Sequence, residues 1–522
     1  MNLMEQGDTL LMGGRFHEAL NVFAQALRAD PSLLEARYGL ARACAGAGDP
    51  LTAIAWISDA MRLAPAALEP LLMLADLLLT TKQYAQALPI YARLHHEFKL
   101  RDKTTLLHYG FCLEHTGSLD EAAQRYRQAL EVDPNFLEAH VDLAGLLWRL
   151  GDFEGSLTHG WKAVSVDPEH PFAVRVLGAA LLSLGRIEEA EVQLRRALSL
   201  KPGFPLAELD LALALLQDGR LQEGWRWYAK RWKDADRIQR PTFWQQELEW
   251  QGRDVQPLAG KRIVVYAEQG LGDVIQFIRY VPMLQADGAT VYGVVQPELV
   301  NLLESSFEGF LCLTPGRDLQ ADYHVALLDL PLHYGTHKVE AIPAKVPYLK
   351  APAENAERWA ARMKPWAGKF KLGICWSGSQ VQMNNRNRGV ALSELQGLLA
   401  TPGVQCFSLQ KGDAAHFSDV TPDGAQLIDL TSEWRDFGDS AAMLQQLDLV
   451  VTVDTAIAHL AGALGRPGWV LLAPNADWRW LTGRDDSPWY PTLRLFRRAY
   501  GESRTVQVGR VTRALGGLLQ ET

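Results

Sequence analysis

From the first residues to about position 235, apolar side chains recur at i, i+3, i+4 and i+7, the spacing that lines one face of an α-helix. "GRFHEALNVFAQALRADP" and "GRIEEAEVQLRRALSLKP" show it at its plainest. The breaks between these segments are themselves periodic. Glycines stand at Gly14, Gly48, Gly117, Gly151, Gly185 and Gly219, with Lys82 in the open slot. Five residues after each comes a small residue: Ala19, Ala53, Ala87, Ala122, Ser156, Ala190 and Gly224. Prolines at Pro31, Pro65, Pro134, Pro168 and Pro202 are 34 residues apart, except for the 69 (34 plus 35) after Pro65, where Lys99 fills the gap. The pattern predicts seven pairs of antiparallel helices. The glycine permits the sharp turn, the small residue lets the helices approach, and the proline opens the next helix where no N–H is needed.

From Lys261 the period shortens. Strands are predicted at "RIVVYA", "ATVYGVVQ", "YHVALLDL", "KLGICWSG", "VQCFSLQ", "AQLIDLT", "DLVVTV" and "GWVLLA". Amphipathic stretches such as "DVIQFIRYVPMLQADG" and "TAIAHLAGALG" fall between them, which reads as βαβ units and parallel sheets. The polar "HKVEAIPAKVPYLKAPAENAERWAARMKPWAGK" separates two such series, so two facing Rossmann-like domains are expected. The tail, "RDDSPWYPTLRLFRRAYGESRT" and "VGRVTRALGGLLQ", reads as closing helices that pack back on the first of them. The junction is rich in tryptophan (Trp225, Trp227, Trp232, Trp244, Trp250), read as sealing the last repeat helix against the next domain, with ligand stacking as the other reading.

The repeat period resembles that of the tetratricopeptide family, whose arrays commonly hold a polypeptide in their groove. Hydrophobic residues make up 48% and charged residues 22% of the 522, as in ordinary globular proteins. A net charge of −9 argues against a general nucleic-acid or anionic-membrane binder, leaving room for a local basic patch. The five cysteines (Cys44, Cys112, Cys312, Cys375, Cys406) are dispersed and read as buried thiols in a reducing compartment. The N-terminus lacks a basic stretch before an apolar core, and no run reaches the length of a membrane span. The expectation is a soluble, cytoplasmic protein.

Candidate chemistry concentrates at strand ends. "EQGLGDVIQFIRY" sets Gly270 and Gly272 between a strand and a helix. The spacing is neither G-x-G-x-x-G nor a P-loop. Asp273 has two readings: a favourable charge at a helix N-terminus, or a carboxylate aimed into a cleft. "VDTAIAHLAGALG" begins a helix at Asp454 and Thr455, with His459 one turn on. That is either a phosphate site or an Asp-Thr cap with a packed histidine. Arg386 and Arg388 on a polar loop are candidate phosphate clamps, and Gln410 and Lys411 end a strand. Trp478, Arg479 and Trp480 either pack or line a sugar or base pocket. His95 and His96 read as a solvated helix end. No H-E-x-x-H, C-x-x-C or G-x-S-x-G motif is present, which disfavours a metal-dependent hydrolase.

Together "GWRWYAKRW", "AEQGLGDVIQFIRYVPML", "CWSGSQ…NRNRG", "FSLQKG", "VTVDTAIAHLAGALGRP" and "DWRWLTGRDDSPWYP" resemble the bacterial TPR glycosyltransferases, whose C-terminal domain is similar to heptosyltransferase-like family 9 enzymes. The resemblance implies an α solenoid over 1–235, then an α/β GT-B fold: an acceptor-side domain at 236–350, a donor-binding domain at 351–500 and a packed-back terminal helix at 501–522. It implies a metal-independent, inverting transferase that moves sugar from a nucleotide donor to Ser or Thr of a protein, flagellin among the candidates. Asp273 would be the base; Gly270, Gly272, Ser377, Arg388, Gln410, Lys411, Asp454, Thr455 and His459 would bind the donor. No cofactor beyond the co-substrate is implied. Relatives usually read "NDRNRS", so Asn385 and Gly389 depart from the pattern and bear on the choice of sugar. The alternatives are a non-catalytic adaptor and a transferase acting on lipopolysaccharide sugars.

Overall fold

A computed structural model describes residues 2–65, 67–233, 238–313, 320–378, 385–412 and 427–521, without the side chains at 385 and 386. The chain divides into two compact units, Met1–Leu177 and Gly178–Thr522.

The first unit is built of helix pairs: Leu3–Met12 with Phe16–Ala29, Leu34–Gly46 with Pro50–Leu63, Leu68–Thr80 with Tyr84–His96, Lys103–His115 with Leu119–Val132, and Leu137–Leu150 with Phe153–Val166. Every one of the small positions from Ala19 to Ser156 is buried, which is what lets neighbouring helices touch. Phe23, Tyr91 and Tyr126 fill the space between turns of the array. Lys82 takes the turn conformation its glycine counterparts take, at φ 58°. The prolines do something other than expected. Pro31, Pro65, Pro134 and Pro168 each lie one residue past the C-cap of the preceding helix, so they stop a helix where they were expected to open one. His95 also departs from expectation. It is buried, with Nε2 3.2 Å from Arg125 Nη1, and only His96 faces solvent.

The second unit starts inside the helix Pro171–Ser183 and continues through Ile187–Leu200, Pro205–Gln217 and Leu221–Tyr228. Two parallel sheets follow. The first holds β1 (Arg262–Tyr266), β2 (Thr290–Val294), β3 (Leu311–Cys312) and β4 (Tyr323–Ala326), in the order β3-β2-β1-β4. The second holds β5 (Phe370–Cys375), β6 (Val404–Ser408), β7 (Leu427–Asp429), β8 (Leu449–Val453), β9 (Gly468–Leu472) and β10 (Leu493–Arg497), in the order β10-β9-β8-β5-β6-β7. Counted from its own first strand, that is the 3-2-1-4-5-6 order of doubly wound folds, with its switch point between β5 and β8. Every residue of β8 and β9 is buried, as expected for strands covered on both faces.

The tail corrects the sequence reading. "LRLFR" is the edge strand β10, and the terminal helix Arg504–Glu521 packs on the second sheet, where Val508, Val511 and Leu515 meet Leu372, Leu449 and Leu471. The junction tryptophans seal as expected. Trp225 is buried against Trp478 (5.3 Å between ring centres) and donates to the Thr336 carbonyl at 3.0 Å. The five cysteines are buried and free. Among the described residues no helix is long and apolar enough to cross a membrane.

Candidate functional site

The carboxyl ends of β1, β5 and β8 open into one cleft of about 1020 Å³, the crevice position at which open α/β sheets bind ligands. Gly270 to Asp273 line one wall. Ser377, Arg388, Gln410, Lys411, Asp454, Thr455 and His459 line the other, so Asp273 and the nine residues expected to bind the donor border the same space, while Trp478 and Trp480 do not line it.

The glycine turn is held from behind. Arg231, wholly buried in the last repeat segment, grips Glu268 with Nε (3.0 Å) and Nη2 (2.8 Å). Its Nη1 reaches Asp329 at 2.6 Å, and Trp232 Nε1 donates to the same carboxylate at 3.2 Å. Burial pushes the Glu268 carboxyl up, against the pull of the Arg231 guanidinium. The next residue, Gln269, donates to the Tyr228 hydroxyl at 2.6 Å. The turn therefore owes its position to a repeat helix as much as to the strand before it.

Gly270 adopts ordinary extended backbone as the cap of the helix Leu271–Phe277, and its N–H donates to Asp273 Oδ2 at 2.8 Å. Gly272 has a packing reason: a Cβ there would lie 2.8 Å from His459 Cδ2 and 3.6 Å from Ala456 Cα. The helix Leu271–Phe277 thus rests directly on the helix Ala456–Ala463 of the other sheet.

Asp273 Oδ1 is ion-paired with Arg479, a partner that periodicity and spacing did not point to. Arg479 is itself fixed by Asp477 (2.9 Å from Nη1) and by the face of Trp478, 4.3 Å from its guanidinium carbon. Burial raises the Asp273 carboxyl above the usual carboxylate range, Arg479 opposes the rise, and Asp477 adds to it. Burial works against the Arg479 charge, and the Asp273 and Asp477 carboxylates outweigh it and hold the proton in place.

Across the cleft, Thr455 occupies the N-cap of Ala456–Ala463 without its side chain capping the helix. Its hydroxyl lies 3.1 Å from that of Thr452 instead, so the Asp-Thr cap reading fails for Thr455. Asp454 is pushed up by burial and by Asp477, with the Arg388 guanidinium pulling the other way. His459 Nδ1 is 2.9 Å from the Tyr490 hydroxyl, and its ring stacks on Trp480 at 26°. Burial first, then Arg479, pulls its pKa down to about 3, so it is neutral at ordinary pH. Gln410 is committed to structure. Its Oε1 accepts from the Ser377 N–H at 2.9 Å and the Trp376 N–H at 3.3 Å, fixing the loop after β5. Lys411 Nζ donates to the Trp434 carbonyl at 3.1 Å, leaving two N–H bonds for the cleft. Arg388 lies against Gly378, where any side chain would displace its guanidinium. The side chain of Arg386 lies outside the described residues, as does that of Asn385. Among the described residues no three metal-ligating side chains converge.

Comparison with known proteins agrees with both parts of this architecture. Tetratricopeptide repeat models match residues 4–67 and 175–235, and a further TPR repeat model matches 115–151. The glycosyltransferase family 9 (heptosyltransferase) model matches 435–507, the segment that carries Asp454, His459, Asp477 and Arg479. Protein FlbA of Caulobacter vibrioides is 30% identical over 326 residues, spanning 56% of this chain and 52%, about half, of its own length. Solved structures similar to the chain include MamA 41-end from Desulfovibrio magneticus RS-1 (21% identity, 32% of this chain and 93% of that one, TM-score 0.31). They also include YrrB, described as a TPR protein with an unusual peptide-binding site (18% identity, 35% and 95%, TM-score 0.32). The chain thus carries tetratricopeptide repeats in its first part and, at 435–507, a segment similar to the glycosyltransferase family 9 enzymes.

Proposed function

We propose that the chain is an inverting, nucleotide-sugar-dependent glycosyltransferase of GT-B type that modifies Ser or Thr of a protein. The observation that carries this reading is the Asp273–Arg479 pair on one wall, facing the uncapped helix start at Thr455 on the other. A carboxylate that is buried yet kept ionised by a guanidinium is more basic than one in water and still available to accept a proton. One Asp273 oxygen accepts from Arg479 and the other from the Gly270 N–H, and a carboxylate offers about four acceptor sites in all.

In this scheme the donor diphosphate lies on the second wall, against the N-terminus of Ala456–Ala463, with Arg388 and Lys411 beside it. The acceptor hydroxyl enters from the glycine-turn side. Its oxygen forms the new bond to the anomeric carbon while its proton passes to Asp273. The electrons of the breaking bond go to the departing phosphate, whose charge the helix dipole and the two cations stabilise. Attack from the side opposite the leaving group inverts the anomeric centre. His459, neutral and held by Tyr490, shapes the floor without titrating.

The protein acceptor is inferred from the repeats, since a helical array offers a long groove suited to polypeptide. The sequence resemblance makes flagellin the first acceptor to try, in a cytoplasmic setting. The test is Asp273→Asn, which keeps the Gly270 contact and the shape. Transfer should fall about 10²–10⁴-fold, while donor binding by calorimetry stays within a factor of a few. Near-normal transfer by a folded Asp273→Asn protein would remove Asp273 as the base.

A further inference from the structure

Seven arginines, Arg484, Arg494, Arg497, Arg498, Arg504, Arg510 and Arg513, fall within thirty residues that hold three acids, Asp485, Asp486 and Glu502, in a chain of net charge −9. The cationic side chains of this stretch are all arginine; none is lysine. The fold brings four of them to one concavity of about 480 Å³ between the edge strand β10 and the terminal helix Arg504–Glu521. Arg494, Arg497, Arg510 and Arg513 line it, with Phe496 and a single carboxylate, Asp485.

Two of these guanidinium groups are fixed in place mainly by neutral partners. Arg497 donates to the backbone carbonyls of Arg484 (2.7 Å) and Trp480. Arg510 donates to the Arg497 carbonyl and reaches Glu502 at 3.2 Å. A carbonyl orients a guanidinium without cancelling its charge, so the pocket is ordered and keeps a positive balance, four guanidiniums against Asp485 and the Glu502 that pairs with Arg510. Burial pushes the Arg497 guanidinium down, Asp485 opposes the shift and Arg484 adds to it. The Arg494 guanidinium carbon lies 4.8 Å from the centre of the Phe496 ring, and Arg494 and Arg513 are both exposed side chains on the lining.

We propose that this pocket binds a small phosphate-bearing anion, of the size of pyrophosphate or a sugar phosphate, separately from the transferase cleft. Planar guanidinium groups converging on a concave site suit phosphate oxygens, and a concavity of about 480 Å³ suits a compact anion better than an extended acidic chain. The inference does not depend on the proposed transfer reaction, because none of these arginines lines the cleft.

The test is calorimetric titration of the full chain with inorganic pyrophosphate and, in a second arm, with a hexose 1-phosphate; the tighter of the two names the source. The double variant Arg494→Gln, Arg513→Gln changes two exposed side chains and should fold normally by circular dichroism. Binding should weaken at least ten-fold in this variant and fall with added salt in the wild type. If both proteins bind equally, the anion sits in the cleft and the proposal is overturned. Absence of binding to the wild type at millimolar concentration overturns it as well, as does binding of an acidic peptide in place of either phosphate compound.

Discussion

Replacing Arg231 by methionine removes one side chain and strands two. Its guanidinium holds Glu268 through two hydrogen bonds and Asp329 through a third, and both carboxylates are almost wholly shielded from water. Methionine fills much of the volume, so the loss is chiefly electrostatic. Removing one partner of a buried ion pair costs about 3–5 kcal/mol, since the remaining charge has neither water nor a counter-ion. The cost depends on pH in a defined direction. Glu268 is already pushed up by burial in the intact protein, and losing Arg231 pushes it further. A carboxyl whose folded pKa exceeds its unfolded value contributes stability at low pH and loses it as pH rises from the unfolded toward the folded pKa. Urea unfolding followed by tryptophan fluorescence should therefore show a loss of about 3–5 kcal/mol at pH 8 and a clearly smaller one at pH 5. Adding Glu268→Gln and Asp329→Asn should return part of it. A loss under about 1 kcal/mol at pH 8, the ceiling for an exposed pair, or one that does not change with pH, would refute the reasoning.

Three further outcomes are expected. Gly272→Ala forces a methyl group to 2.8 Å from His459 and should lower stability by about 1–3 kcal/mol, measured by urea titration; an unchanged midpoint would mean that the two helices separate freely. Lys82→Gly relieves a left-handed residue at φ 58° and should stabilise the protein by up to about 1 kcal/mol, seen as a raised Tm. If Asp273 is the base, transfer should fall as pH drops through its pKa, with the acid limb above the ordinary aspartate value of about 4, because burial raises it; an acid limb below that value would contradict the assignment.

Much of the architecture was legible because its signals are local. The helix pairs announce themselves through turn residues and small residues a fixed distance apart, and β8 and β9 through unbroken apolar runs. What escaped had no local signature. β10 reads as helix from sequence because Arg494 and Arg497 interrupt its apolar run, which an edge strand with one exposed side tolerates. β3 is two residues long and depends on its neighbour for definition. The prolines end helices where their period alone suggests that they open them, since the period fixes their spacing and not which helix they border. The cleft residues were read from strand ends, a position set by topology. Arg479 was only half seen because its partner Asp273 lies 206 residues away. Gln410 was identified as cleft-lining, but its amide is spent on the Ser377 and Trp376 N–H groups, a commitment that residue type alone does not reveal.

The contact between Gly272 and His459 also governs how the second unit can move. Two helices from different sheets touch there at a separation that admits no methyl group, so sliding one past the other would collide within a fraction of an ångström. Further contacts away from this point, Asn301 to Asp436 and Arg279 to the Trp489 carbonyl, tie the same two layers together. The missing side chain thus sets the spacing of the cleft's two walls, with Asp273 next to Gly272 on one and His459 on the other held in fixed register.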